Sequence, residues 1–184
     1  MKRIFMLFLL FNFAFGYSQS QKFKIEYINM SSLSITKNTE SYFSNYSKDS
    51  IKTFEGLGFD LNTIHGIKFF GHVALSVGMN LDWNINKSFL STPYIVDLRV
   101  FSSKNSDNSL FAYLQTGQNI KWSDSFNGNG TSSKLGVGAI FKYDENLSLF
   151  IDLYKKSKQV HIEKLRENGY YNISGFGISV GVIF

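Results

Sequence analysis

The chain has 184 residues, a formal net charge of +5 at pH 7, no cysteine and 17% aromatic residues. The lack of cysteine excludes disulfides, thiolate metal sites and a lipidated N-terminal cysteine. The basic excess is mild: without Lys2 and Arg3, 19 − 2 = 17 basic residues stand against 14 acidic ones, a net charge of +3. This charge does not point to nucleic acid as a partner.

The first predicted element is a secretion signal. Lys2 and Arg3 precede an apolar run over residues 4–15, and the small residues Gly16 and Ser18 follow at the spacing of a signal-cleavage site. We therefore expect residues 1–18 to be a cleaved signal peptide, with a cut between Ser20 and Gln21 as the alternative. Residues 19–184 then form one exported domain. No later apolar run reaches about 18 residues, so no membrane-spanning helix is predicted.

Eight segments of the exported domain alternate apolar with polar or small side chains, in the two-residue period of a β-strand. In chain order they are 23–30, 56–70, 72–83, 94–101, 110–122, 135–143, 147–154 and 175–184. The clearest is HVALSVGMNLDW, in which Val73, Leu75 and Val77 share a face opposite Ala74 and Ser76. The one helical candidate is short, over residues 159–167. The sequence therefore predicts an all-β protein.

The predicted connections alternate in length. Those at 31–53, 84–92 and 123–133 are each longer than the connection that follows, and a long one at 155–172 ends the series. Transmembrane barrels have this asymmetry, with tight turns on the periplasmic side and longer loops outside. An even number of strands places both chain ends on the periplasmic side.

Aromatic residues gather at the ends of the predicted strands. Aromatic rings with a polar edge settle at both water interfaces of a membrane, and a soluble sandwich has no reason to sort its rings this way. We interpret six of them as two aromatic girdles. Trp83, Tyr94 and Trp122 lie at the ends with long connections, and Phe101, Phe141 and Tyr143 lie at the ends with short turns.

The last predicted strand, GFGISVGVIF, ends the chain on Phe184 with an apolar face opposite a face made mostly of glycine. This strand resembles the sorting signal of outer-membrane β-barrel proteins of Gram-negative bacteria, and YIVDLRVF and LGVGAIFKY share the barrel-strand pattern. The resemblance implies an eight-stranded antiparallel up-and-down transmembrane β-barrel in the outer membrane. It also implies insertion by the barrel-assembly machinery, with Phe184 in the assembly signal. Small porin-like members of this class have structural, adhesive or enzymatic roles, so the resemblance implies no single function.

The second face of the predicted strands carries charges that a narrow eight-stranded barrel would enclose. The acids and bases nearly balance, as a packed interior requires, because an unpaired buried charge is costly. We interpret them as a structural ion-pair network in the lumen, with a proton or ion path as the alternative. The predicted inward acids are Glu26, Asp60, Asp82, Asp97 and Asp152, and the inward bases are Lys24, Lys68, Arg99, Lys121, Lys142 and Lys156.

Residues that could carry catalysis or bind a metal are few. His161, Glu163 and Ser157 can be drawn as a hydrolase triad, but their closeness in sequence is weak support for it. His65 and His72 lack the third ligand that a zinc site needs. The NGNG motif at 127–130 lacks the Lys-Ser/Thr and the helix of a phosphate-binding loop. We predict no catalytic residue, no cofactor and no metal.

Two predicted loops are candidates for binding at the cell surface. Residues 31–53 interleave Tyr42, Phe43 and Tyr46 with serine, threonine and asparagine. The second loop carries cations that would meet lipopolysaccharide phosphates above the outer leaflet, with a solvated loop as the alternative. These cations are Lys155, Lys156, Lys158, Lys164 and Arg166.

The predicted function is a structural or surface-interaction role, without a catalytic centre, in the outer membrane. The expected partners are outer-membrane lipid, lipopolysaccharide and the assembly machinery, with no nucleic acid, and the protein is expected to be a monomer. One alternative is a barrel enzyme that modifies envelope lipid. The other is a secreted lipocalin-like barrel, in which the apolar face would surround a ligand.

Overall fold

The computed structural model describes residues 24–45, 50–53, 55–85, 89–103, 108–121, 129–164 and 167–184. At residues 45, 89, 162–164, 167 and 168 it describes the backbone alone. The expected signal peptide, residues 1–18, and the girdle residue Trp122 lie outside this set.

Ten β-strands make up the described structure. None of the described residues forms a helix that could cross a membrane. The strands are β1 (Ile25–Asn45), β2 (Ser50–Lys52), β3 (Gly56–Phe69), β4 (Val73–Asn84), β5 (Phe89–Ser91), β6 (Pro93–Phe101), β7 (Ser109–Asn119), β8 (Thr131–Lys142), β9 (Ser148–Lys164) and β10 (Glu167–Ile183).

Eight of these strands close into an antiparallel barrel. Their order around the barrel is β1-β3-β4-β6-β7-β8-β9-β10, and β10 pairs with β1 from Met30↔Ile183 to Asn45↔Gly169. The short strands β2 and β5 extend β1 and β4 outside this ring. Closure pairs the edges that an open sheet would expose. The predicted eight-stranded up-and-down topology is confirmed.

The two ends of the barrel carry different connections. The terminal end carries the start of β1, the end of β10 and the connections at 70–72, 102–108 and 143–147. The distal end carries the connections at 46–55, 85–92, 120–130 and 165–166. The last distal connection is the shortest, so the predicted long loop at 155–172 is wrong.

Two predicted loops are strands. Residues 31–45 continue β1, and residues 155–164 and 167–172 belong to β9 and β10, so the predicted helix at 159–167 is also wrong where the structure describes it. The alternation continues through both segments: Leu33 and Ile35 are exposed, while Ser34 and Thr36 are buried. A narrow polar interior accepts such residues in its core, so their polarity does not signal a loop.

Burial is inverted relative to a soluble barrel. Along β4, Leu75, Val77 and Met79 are 51%, 60% and 45% exposed, while Ser76 and Asp82 are buried. The same alternation runs along β6, which buries every second residue from Pro93 to Phe101. Large apolar side chains thus face outward around the barrel and charged side chains face inward. This is the pattern of a barrel in lipid.

The chain end joins the closing seam. The Phe184 N–H donates to the Asn29 carbonyl at 3.0 Å, and the Asn29 N–H donates to the Phe184 carbonyl at 3.4 Å. The Phe184 ring is exposed on the outer face. The final residue therefore lies at the junction of the first and last strands, where its ring faces the barrel's surroundings.

Candidate functional site

The interior contains an ion-pair network centred on two aspartates. Lys156 Nζ lies 2.5 Å from Asp60 Oδ1 and 2.6 Å from Asp82 Oδ2, so it bridges both carboxylates. Lys134 Nζ lies 3.1 Å from Asp60 Oδ2, and Lys158 Nζ lies 2.8 Å from Asp82 Oδ1. All five side chains are buried. The network therefore holds three cations on two anions.

These ion pairs cross the lumen. Asp60 lies on β3 and Lys134 on β8, and these strands are four places apart in the eight-membered ring. Asp82 on β4 and the two lysines of β9 are likewise on opposite walls. These ion pairs join opposite walls of the barrel and so narrow the lumen that a channel would need.

Neutral side chains complete the coordination of Asp60. The Tyr154 hydroxyl donates to Asp60 Oδ2 at 3.4 Å and lies 2.7 Å from the Thr36 hydroxyl. The Asn80 amide donates to Asp60 Oδ1 at 3.3 Å. Extra hydrogen bonds of this kind are what allow an ion pair to persist out of water.

A second network surrounds Arg99, nearer the terminal end. Its Nε donates to Asp97 Oδ1 at 2.9 Å. Its guanidinium lies over the rings of Tyr113, Phe111 and Phe150, at 4.3, 5.0 and 5.9 Å from their centroids. Planar guanidinium favours such stacking, which adds to the stabilisation that Asp97 gives this buried cation.

Aromatic and aliphatic side chains fill the interior on the terminal side of these networks. Phe111 contacts Phe101 and Phe150, with ring centroids 6.2 and 5.8 Å apart. Phe101 is 3% exposed, so its predicted place in a girdle is wrong. Its parity with Asp97 and Arg99 along β6 directs it inward, and there it also packs under Lys68, 4.7 Å from the ring centroid.

The interior charges balance closely. Among the described residues the buried cations are Lys68, Arg99, Lys134, Lys156 and Lys158, and the buried acids are Asp60, Asp82, Asp97 and Asp152. Half-buried Glu26 adds a fifth acid, directly across from Lys68 and paired with the exposed Lys24. Beside the Lys156 network a cavity of about 10 Å³ remains. A cavity of this size is at the lower limit for one water molecule.

The predicted lumen residues are thus partly brought together. The structure buries Asp60, Asp82, Asp97, Arg99 and Asp152, and it places Asp152 under the Tyr113 hydroxyl at 3.0 Å.

Lys142 is exposed, against the prediction, because it is the last residue of β8 and lies at the terminal rim. Lys24 and Lys121, also predicted inward, are exposed beyond strand ends.

Sequence reasoning missed Lys134 and Lys158. The predicted strand at 135–143 begins just after Lys134, and the predicted loop at 155–172 includes Lys158, yet both lysines lie in strands and pair with the central carboxylates. The two-residue spacing could have identified both lysines, because residues two apart in a strand share a face. Lys134 is two residues before the inward position Gly136, and Lys158 continues the inward series Asp152, Tyr154 and Lys156.

Outward-facing rings lie near both rims. Trp83 and Tyr94 are 52% and 49% exposed toward the distal end, and the Tyr94 hydroxyl donates to Gln118 Oε1 at 2.8 Å. Phe141 and Tyr143 are 52% and 73% exposed toward the terminal end. An aliphatic band separates the two sets.

Of the suggested hydrolase triad, the side chain of Glu163 lies outside the described part of the structure, and the other two residues are not neighbours. Ser157 and His161 lie on the same face of β9, four residues apart, and an extended strand separates such residues by about 13 Å. His72 Nδ1 lies 3.0 Å from the Phe101 carbonyl, whereas His65 Nδ1 meets the Tyr27 hydroxyl. Among the described residues no group of three or more potential metal ligands gathers.

Four strands continue beyond the distal rim as a sheet, which we call the distal extension: β2, β1 past Asn38, β10 before Gly175, and β9 past Lys158. A β-bulge between Asn38 and Glu40 marks its start in β1. β9 continues for six residues beyond Lys158, its last residue paired with β8, which corresponds to about 20 Å of strand.

The distal extension has its own small core and a cationic base. Val160 and Ile173 are buried against Tyr171, whose ring lies 5.0 Å from that of Phe43. At its base, the outward-facing ring of Phe176 lies between two exposed lysines. Lys37 of β1 and Lys155 of β9 are both register partners of Phe176, and Lys155 Nζ is 5.9 Å from the ring centroid.

Comparisons with solved structures find chains that are similar to this one. Neisserial surface protein A (NspA) matches with a TM-score of 0.55 and 14% identity, over 87% of this chain and 97% of that chain. A designed transmembrane β-barrel matches with a TM-score of 0.43, 16% identity and coverage of 85% and 93%. The outer membrane protein OprG from Pseudomonas aeruginosa matches with a TM-score of 0.39, 8% identity and coverage of 85% and 94%.

No protein-family profile matches the chain, and no curated protein matches it in sequence. The likeness to NspA concerns the fold. The chain has the fold of a small eight-stranded outer-membrane β-barrel.

Proposed function

We propose that this protein resides in the outer membrane of a Gram-negative cell as a non-catalytic barrel with a surface-interaction role, its distal extension facing outward. One observation carries the membrane placement: large apolar side chains cover the outer wall, while five cations and four acids of the described residues lie buried inside. In water, an exposed apolar wall and a charged interior would both be unfavourable. In a membrane, hydrocarbon surrounds the apolar wall, and ion pairs stabilise the charges inside.

The same observation argues against the lipocalin-like alternative. A soluble carrier of that class needs an apolar interior around its ligand. In this barrel the middle of the interior holds Asp60, Asp82 and Lys156, and the cavity beside them has a volume of about 10 Å³. A hydrophobic ligand has neither room nor a compatible surface there.

The filled interior also favours a structural role over conduction. An ion crossing the lumen would have to pass the bridges from Asp60 to Lys134 and from Asp82 to Lys158, which join facing walls. These pairs are buried and close. We infer that the network stabilises the barrel and that the protein's contacts with partners are made outside it.

The base of the distal extension is the part of this surface suited to lipid phosphates. Lys37 and Lys155 flank Phe176 at the level where the apolar wall gives way to polar residues, so we infer that they bind phosphate groups of outer-leaflet lipopolysaccharide. Lys156 and Lys158, which the sequence also offered for this role, are buried in ion pairs and are unavailable to lipid.

Removing both rim lysines tests this lipid contact. The double variant Lys37→Gln/Lys155→Gln should retain markedly less phosphate-bearing glycolipid through purification in mild detergent, measured as bound phosphate per protein. Lys142→Gln, an exposed lysine at the terminal end, is the matched control and should retain the normal amount. Equal retention by all three proteins, or an equal loss in both variants, would contradict the assignment.

The membrane placement itself predicts heat-modifiable behaviour. A closed barrel with mutually satisfied backbone groups should resist cold SDS and migrate compactly until boiled. Protein extracted from outer-membrane fractions should therefore show two mobilities, before and after heating, on the same gel. Recovery in the soluble periplasmic fraction, or one mobility under both conditions, would overturn the proposed function.

A further inference from the structure

One part of the outer wall is polar where lipid is expected. On β1 and β3, five side chains share the outward face and form what we call the polar patch: Tyr27, Asn29, Ser31, Thr63 and His65. Tyr27 is 67% exposed, His65 is exposed, and the other three are half-buried. A titratable ring on a lipid-facing wall is unusual, because polar groups are costly there.

The polar patch is surrounded by apolar side chains. Along β3, Leu61 lies on its distal side and Ile67 on its terminal side. On the neighbouring strands, Val77 is the register partner of His65, and Val182 is that of Ser31. The patch therefore has apolar neighbours along β3 and on both adjacent strands.

Its hydrogen bonds are only partly satisfied within one chain. The Tyr27 hydroxyl lies 2.6 Å from His65 Nδ1, and the Ser31 and Thr63 hydroxyls lie 3.1 Å apart. The side-chain oxygen of Asn29 has no hydrogen-bond partner among the described residues, but this atom is buried and does not reach the outer surface. The exposed imidazole of His65 has a second ring nitrogen that also needs a partner. Acyl chains offer none, so the imidazole favours contact with another polar surface.

We propose that the polar patch is the contact surface between two copies of this chain, side by side in the membrane. The inference rests on the membrane placement proposed above and departs from the monomer expected from the sequence. Two inserted copies share one orientation, so the symmetry axis that relates them runs along the membrane normal. Such an axis places β1 of one copy opposite β3 of the other.

This geometry makes the patch complementary to itself. Ser31 of one copy faces Thr63 and His65 of the other, and the axis repeats the contact in reverse. Hydroxyl and imidazole groups supply both donors and acceptors, so like can pair with like. Charge does not oppose the contact, because the patch holds no carboxylate, lysine or arginine. On the opposite side of the barrel, the exposed residues Leu114 on β7 and Val137 on β8 have no side-chain hydrogen-bonding groups.

The chain has no cysteine, so single cysteines can report the contact without background. Ser31→Cys is placed at the patch, and Val137→Cys, exposed on the opposite wall, is the matched control. Both proteins are oxidised within outer membranes and analysed without reductant. Ser31→Cys should give several-fold more covalent dimer than Val137→Cys. Equal dimer from both positions, or a covalent adduct of another size without dimer, would overturn the proposal.

A second pair of variants tests whether the polar groups hold the contact. Leu33→Cys, next to the patch on β1, serves as the reporter in a chain that also carries Ser31→Val and Thr63→Val. Dimer should fall to the level of Val137→Cys, whereas the reporter alone should retain it; unchanged dimer would contradict the proposal. Heat-modifiability is measured on every sample. Its loss throughout would refute the membrane placement, whereas its retention without patch-specific dimer would refute only the dimer.

Discussion

Replacing Asp60 with leucine should lower the free energy of unfolding by about 3–5 kcal/mol, the usual effect of removing one member of a buried ion pair. The change deletes the partner of Lys134 and one of the two carboxylates that Lys156 bridges. Lys134, Lys156 and Lys158 would then share Asp82 alone. The buried cations cannot reach water without opening the barrel wall.

Urea unfolding of the purified protein in liposomes measures this effect. Glu145→Gln removes a carboxylate from an exposed turn and should change stability by less than about 0.5 kcal/mol. Adding Lys134→Met to Asp60→Leu should restore part of the loss, because it removes the cation left without its partner. An Asp60→Leu protein as stable as the Glu145→Gln control would show that the network carries no stability.

Replacing Leu98 with arginine should cost about 2–4 kcal/mol, because the cation must enter hydrocarbon near the middle of the bilayer. Leu98 is 46% exposed on β6, between its outward-facing register partners Leu75 and Leu114. Leu98→Phe should be nearly neutral, since lipid imposes little shape on the side chain that meets it. The same unfolding measurement in liposomes compares the two variants.

The adjacent residue is the control for the assignment of faces. Asp97 is fully buried and accepts a hydrogen bond from Arg99 Nε, so Asp97→Leu should cost several kcal/mol by leaving the guanidinium without its carboxylate. A soluble barrel with an apolar interior reverses these expectations. Harm from Leu98→Phe together with tolerance of Asp97→Leu would therefore reject the outward-facing apolar wall.

The two-residue period predicted the eight barrel strands, while the connection lengths and the resemblance to outer-membrane barrels supplied their up-and-down topology. It failed where polarity was given more weight than parity. Residues 31–45 are rich in serine and threonine, yet Ser34, Thr36 and Asn38 are core residues of this barrel. Lys156 and Lys158 are core residues for the same reason. In a narrow lumen the usual link between polar composition and a loop does not hold.

The partners within the interior could not be derived from the strand pattern. Alternation assigns Asp60 to the inner face, but its contact with Lys134 depends on which strands face each other and on their relative stagger. Phe101 shows the opposite failure. Its position at a strand end suggested a girdle, while its parity with Arg99 directed it inward, and the structure follows parity.

The seam between β1 and β10 has a consequence for the order of folding. It joins the first and last strands of the chain, and its partners Leu33 and Val180 are separated by nearly the whole domain. Contacts so distant in sequence form late, because the intervening chain must be ordered before they can meet. Until then the sheet is a curved ribbon with β1 and β10 as unpaired edges, and unpaired edges of this kind recruit strands from other chains. The vulnerable period in the life of this protein is therefore the interval before closure. A factor that covers these two edges would protect each molecule from such pairing until its barrel has closed.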